Sequence, residues 1–335
     1  MKKLILLFLA SSLVFCSCDE FLDEIIGEVL QPDSGLVEGE LDVNDFKSEA
    51  EIIEAIDSIY ISLGEYIEWQ NEIEKIYLID KNFDAITPSN PIIEKAWTAA
   101  YSAIEKANRY IRSLERYPES IDYDNVEKYL GICNGLVGFT YKNLLEHWGN
   151  IPLITPYTSE MEMPYTANED EVWHYTNESL ERSLYIMERF EFSDSKYISH
   201  AALLLATSEA RGYRDCNMGY DLCRKYSELY QTDKEIVFEL KATNDNILIY
   251  TSAHAYYLRC EYTFLMGNWD ELGVRDFNTV LKRWDSSRYG YWSMLKRNKK
   301  LSEITGCPEY MQYLPIPQKA LNENANLMQN PGYIN

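Results

Sequence analysis

Glu146-His147-Trp148-Gly149-Asn150-Ile151-Pro152-Leu153 ends a helical run that begins near Asn125 and carries Val126, Leu130, Cys133, Val137, Tyr141 and Leu144 at helical spacing. Gly149 closes the helix, because glycine takes the left-handed backbone that helix ends favour. Pro152 prevents its resumption, since it lacks the N–H the ladder needs. Neighbouring segments read the same way. Before this run, Trp97, Tyr101, Ile104, Asn108, Ile111 and Leu114 form one stripe, with Pro118 after its end. Earlier still, Ile52, Ile53, Ile56, Ile59, Tyr60 and Leu63 mark a first helix from about Glu49 to Gly64. Residues 65 to 95 lose that period and read as a long loop, with or without a short helix in it.

Beyond the turn, Asn168 caps a fourth helix running to Arg189, with Glu171 three residues on. Ala201 to Ala210 is apolar almost all round and so reads as buried. It meets Gly212-Tyr213 and a further helical run, Met218 to Tyr230. Glu235 to Leu240 alternates like a short strand, or is an extended link. Tyr256 to Met266, the turn Gly267-Asn268-Trp269, and Glu271 to Trp284 repeat the helix, turn, helix plan. Small residues at close approaches and a glycine at the turn are what tetratricopeptide-type pairs require. The two glycine turns lie 55 residues apart, so loops interrupt the pairs. Leu314-Pro315-Ile316-Pro317-Gln318 cannot be helix, and residues 324 to 333 read as extended backbone over the body. The predicted fold is mostly α: tetratricopeptide-like pairs in a single domain with long loops and minor β.

The start of the chain sets its destination. Lys2 and Lys3 precede an apolar run from Leu4 to Val14, the pattern of a secretory signal too short to span a bilayer. Ser17 before Cys18 resembles a bacterial lipobox, so residues 1–17 are expected to be removed and Cys18 to carry lipid. Cys16 is the poorer candidate, because bulky Phe15 precedes it. Ten acids and no base follow between Asp19 and Phe46, so residues 18–46 read as an acylated, flexible acidic arm and 47–335 as the folded domain. No later stretch approaches the roughly 18 apolar residues of a spanning helix. The membrane is therefore met through the lipid only.

Loss of residues 1–17 removes two lysines and no acid, taking the net charge from −23 to −25. That field repels phosphate backbones, which argues against nucleic acid as a partner. Five cysteines remain beyond Cys18, an odd and irregularly spaced set that is no disulfide framework. Cys133 and Cys260 fall on apolar helical stretches and read as buried thiols. Cys216 and Cys223 could share a helix face without bridging within it. The four histidines show no ligand spacing and are assigned surface or capping roles, so no metal is expected. No nucleophile elbow, phosphate loop or dinucleotide fingerprint occurs, and no catalytic residue or cofactor is assigned. Asn244-Asp245-Asn246 reads as a solvated turn rather than a calcium loop.

The 27 Tyr and 7 Trp are a high aromatic load. Trp97, Tyr101 and Tyr141 fall on core stripes, whereas Tyr66, Trp69, Tyr77, Trp284, Tyr289, Tyr291 and Trp292 fall in predicted loops. An exposed ring suits stacking on a sugar or holding a peptide, so these seven are the candidate ligand-binding residues.

Cys18 to Asp23, Trp97 to Ile104 with Ala107-Asn108, His147 to Leu153, Arg259-Cys260-Glu261, and Leu314 to Gln318 followed by Gln329 to Tyr333 together resemble the SusD/RagB family of outer-membrane nutrient-binding lipoproteins. The matches keep the family's order over nearly the whole chain. Members are commonly longer, so this chain looks like a compact variant lacking loop material that supplies part of the ligand site in larger ones. The resemblance implies a surface-exposed lipoprotein that binds a nutrient oligomer, a glycan before a peptide. It implies a lid over a SusC-like TonB-dependent transporter. Two other readings compete: a tetratricopeptide-type envelope scaffold without small ligand, and, ranked below it, a lipid-anchored glycosidase.

Overall fold

The computed structural model describes residues 46–159, 163–190, 197–230, 236–241, 246–267 and 301–333. Cys18, the acidic arm up to residue 45, and the expected helix from Glu271 to Trp284 lie outside the described residues. Helix α1 runs Glu49–Lys75, α2 Pro91–Leu114, α3 Tyr123–Trp148, α4 Glu169–Arg189, α5 His200–Gly212, α6 Cys216–Leu229 and α7 Ser252–Leu265. The hairpin β1 (Ile236–Lys241) and β2 (Asn246–Thr251) precedes α7, and short helices α8 (Leu301–Thr305) and α9 (Gln318–Glu323) follow it. Helices α1 and α2, α3 and α4, and α5 and α6 form the pairs, and each pair packs on the next.

Local chemistry sets the helix starts. Asn90 Oδ1 accepts from the Ile92 N–H at 2.8 Å, and Pro91 supplies the fixed φ of a first helical residue. Asp122, Asn168, Ser199 and Asp215 cap α3 to α6 with their side chains, so the predicted Asn168 cap is present. Gly149 ends α3 at φ +71°. A Cβ there would lie 2.5 Å from the Tyr313 ring, so both the backbone and the space demand glycine.

Three further glycines, Gly131, Gly135 and Gly138, fall on one face of α3 at helical spacing. Side chains Ile186, Ser183 and Leu180 of α4 press against them, and this stripe lets the two helices approach closely.

The loop reading for residues 65 to 95 is corrected. Helix α1 continues to Lys75 and leads into a π-helical turn, Ile76–Asp80, with a 3₁₀ turn at Phe83–Ala85. Its inward stripe runs on through Ile67, Gln70, Ile73, Glu74 and Tyr77, all buried. Gln70 and Glu74 are polar, which hides the apolar period. They are buried because His147 receives them: Gln70 Nε2 stands 2.9 Å from His147 Nε2, and Glu74 Oε1 3.5 Å. The His147 Nδ1–H donates to the Asn143 carbonyl, orienting the ring.

Other expectations divide. The apolar helix at 201–210 and the run after Gly212 are present as α5 and α6. The strand near 236 is real, and it pairs with β2, to which the sequence reading assigned no strand; Phe238 lies opposite Tyr250, and both rings meet Phe139 of α3 edge-on. His147 and His254 are buried rather than on the surface or at caps. Phe46, placed at the end of the arm, is 6% exposed and packs on Tyr110. Cys133 and Cys260 are buried as read, and the Cys216 and Cys223 thiols are unbridged. Burial pushes the Cys133 and Cys223 thiols up to about 12.

The closing segment is pinned to the end of α3. The Leu314 N–H donates to the His147 carbonyl at 2.8 Å, and the Trp148 indole N–H to the Pro315 carbonyl at 3.1 Å. Gln329 brackets Ile316, accepting from its N–H and donating to its carbonyl, each at 2.8 Å. The loop after α3 is held along α2 in the same manner: Tyr101 Oη donates to the Pro152 carbonyl at 2.9 Å, Asn108 Nδ2 to that of Ile154 at 2.8 Å, and Arg112 to that of Pro156 at 2.8 Å.

Candidate functional site

The seven aromatic candidates separate by position. Tyr66 and Tyr77 have no exposed surface and belong to the inward stripe of α1 and its π-helical turn, so their rings offer no face to a ligand. Tyr77 Oη donates instead to the Met311 carbonyl at 3.0 Å, tying that turn to the closing segment. The misplacement follows from the hidden extension of α1. Trp69 is half-buried, and the Lys95 ammonium lies 4.2 Å from its ring centroid, so one face is already covered by a cation. Trp284, Tyr289, Tyr291 and Trp292 lie outside the described residues.

A charged cluster that no sequence motif flagged sits inside the helical stack. Lys142 of α3 donates to Glu209 of α5 at 2.8 Å and to Glu146 at 3.3 Å. Tyr250 of β2 donates to the same Glu209 oxygen at 2.6 Å, and His254 Nε2 stands 3.0 Å from the other. All five side chains are buried. The cluster fixes how α3, α5, the hairpin and α7 meet, and its two carboxylates are sealed from substrate. Arg259 and Glu261 of α7, the Arg-x-Glu pair, are likewise buried.

Aromatic surface is presented at the α2–α3 turn. Tyr117 and Tyr123 are 41% and 56% exposed, with rings stacked 5.3 Å apart at 11°. Tyr117 Oη donates to Glu127 in a short hydrogen bond. Arg182 of α4 donates to Glu115 at 3.1 Å and anchors the turn. Beside it a surface cavity of about 440 Å³ is lined by Phe46, Lys47, Arg116, Tyr117 and Glu119. Helix spacing alone does not reveal this grouping, because Tyr117 and Tyr123 flank a break and come together only when the turn closes.

Among the described residues no group of His, Cys, Asp and Glu could hold a metal ion, and no helix is long and apolar enough to cross a membrane.

No protein-family model and no curated relative matches the sequence. Solved structures do. A SusD superfamily protein from Bacteroides vulgatus matches with a TM-score of 0.72 over 87% of this chain and 100% of its own, at 12% identity. The fold is SusD-like. A laminarin-binding SusD-like protein matches with a TM-score of 0.70 over 86% of this chain and 100% of its own, at 13% identity. Surface glycan-binding protein A from Bacteroides uniformis gives 0.65 over 84% and 99%, also at 13%. With so few identical residues, what the SusD-like neighbours share with this chain is the fold.

Proposed function

We propose that this protein is a non-catalytic, lipid-anchored glycan-binding protein of the outer-membrane surface. It captures nutrient oligosaccharides and delivers them, as a lid, to a SusC-like TonB-dependent transporter. The observation that carries this reading is the SusD-like fold, shared along nearly the whole length of one neighbour that binds laminarin and of another named as a surface glycan-binding protein. The lipobox-like Ser17-Cys18 and the acidic residues after it support the anchor, since a tether holds a binding domain at high effective concentration over its partner. Trp69, Trp284, Tyr289, Tyr291 and Trp292 are the residues proposed to meet the glycan.

The test is affinity electrophoresis of the mature full-length protein through gels containing laminarin, starch or yeast mannan. Retardation by at least one polysaccharide, with no release of reducing ends, is expected. Unretarded migration through all three, or hydrolysis of the gel polysaccharide, contradicts the reading.

A further inference from the structure

We propose that Tyr117 and Tyr123, with Glu127, form a sugar-stacking subsite at the α2–α3 turn that takes a neutral hexopyranose unit of a longer glycan. This rests on the glycan-binding reading and adds a location and a sugar class to it. The backbone is the first observation. Tyr117 follows the end of α2 at φ +49°, a left-handed conformation that glycine adopts without strain and a bulky side chain does not. Pro118 follows it directly, so the chain holds a ring where a glycine would fit best.

What the strained residue does is the second observation. Its ring stacks on Tyr123, and its hydroxyl is held by Glu127 one turn further along α3. Tyr123 is thereby backed on one side and keeps more than half of its surface open to solvent. A tyrosine on a helix surface that is braced from behind is pre-organised, which lowers the entropy lost when a ligand docks on its outer face.

The third observation is the polar rim. Glu127, which holds the Tyr117 hydroxyl, contributes an acceptor, and the tyrosine hydroxyls contribute donors. A pyranose presents an apolar face of C–H groups and a rim of hydroxyls that both donate and accept. One carboxylate and tyrosine hydroxyls beside a ring match that rim, and the carboxylate turns away an anionic sugar. The net charge of −23 on the whole chain disfavours an anionic sugar. A surface cavity of about 440 Å³ opens on the Tyr117 side of the pair.

The experiment is isothermal titration of the mature full-length protein with laminarin, maltoheptaose and yeast mannan, comparing Tyr123→Leu and Tyr123→Phe. Leucine keeps apolar bulk and removes the flat ring, so the protein stays folded; thermal unfolding checks this. Tyr123→Leu is expected to weaken binding of the preferred glycan about ten-fold, while Tyr123→Phe stays within about two-fold. If the unaltered protein binds a glycan and Tyr123→Leu binds it equally well, the subsite is overturned and the glycan-binding reading stands. If the unaltered protein binds none of the three, both are overturned.

Discussion

Asn330 Nδ2 donates to the carbonyl oxygens of Trp148 and Leu314, each at 2.7 Å, joining the closing segment to the end of α3 across 182 residues of sequence. The Trp148 carbonyl is one of the last four of α3 and Leu314 lies outside any helix, so no ladder bond satisfies either. Asparagine suits the position because one amide carries two donors. Asn330→Ala is expected to destabilise the protein by about 1–3 kcal/mol, since two buried acceptors lose their donor. Urea unfolding measures it, and an unchanged midpoint would show that the closing segment is not held there.

Lys142 bridges Glu209 and Glu146 inside the helical stack. Removing one side of a buried ion pair leaves charge uncompensated in a poor solvent. Lys142→Met is expected to cost about 3–5 kcal/mol, and Lys142→Met with Glu209→Gln to recover part of it. Denaturant unfolding of the single and double variants supplies both values; equal losses would indicate that the lysine acts through packing alone.

The glycine stripe of α3 predicts a graded series. A Cβ at Gly138 would lie 2.6 Å from Leu180 Cγ and 3.1 Å from the Leu180 backbone nitrogen, whereas at Gly131 it meets only side-chain atoms of Ile186 and Met187. A side chain can turn away and a backbone cannot. Gly138→Ala is expected to destabilise by about 1–3 kcal/mol and Gly131→Ala by less, read from thermal unfolding.

Glu188 couples stability to acid pH. Its carboxylate meets His200 Nε2 at 3.3 Å and Lys225 at 2.5 Å, and these partners, His200 first, lower its pKa to about 2 from the ordinary 4.5. A carboxyl depressed in the folded state stabilises above its unfolded pKa and loses that contribution as pH falls through the folded one. Glu188→Gln is therefore expected to flatten the stability profile between about pH 4.5 and 2. At neutral pH the effect is small, because the pair is half-exposed and screened. A profile as steep as that of the unaltered protein would remove Glu188 from the account.

The pattern of apolar residues predicted the paired helices, and Asn168, Gly149 and Pro152 predicted where two of them begin or end. That information is local, so it survives in the sequence. What was hidden is what tertiary partners make possible. Gln70 and Glu74 look solvent-facing until His147 is folded against them, and so α1 appeared to stop eleven residues early. The same error turned Tyr66 and Tyr77 into loop aromatics. The run Ile247 to Tyr250 lacks the alternation of an exposed strand because β2 packs Tyr250 against α3. The Tyr117 and Tyr123 pair was unreadable for the opposite reason: its signal is a backbone conformation, which composition does not encode.

Partnership at the membrane tests the proposed role most directly. The protein, produced from its whole sequence in a cell that processes lipoprotein signals, is recovered by affinity purification from native outer membranes, with a Cys18→Ala form as control. A TonB-dependent barrel transporter in near-equal amount, lost with the control, is the predicted result. Recovery of envelope-maintenance proteins with no transporter would contradict the lid account and favour a scaffold.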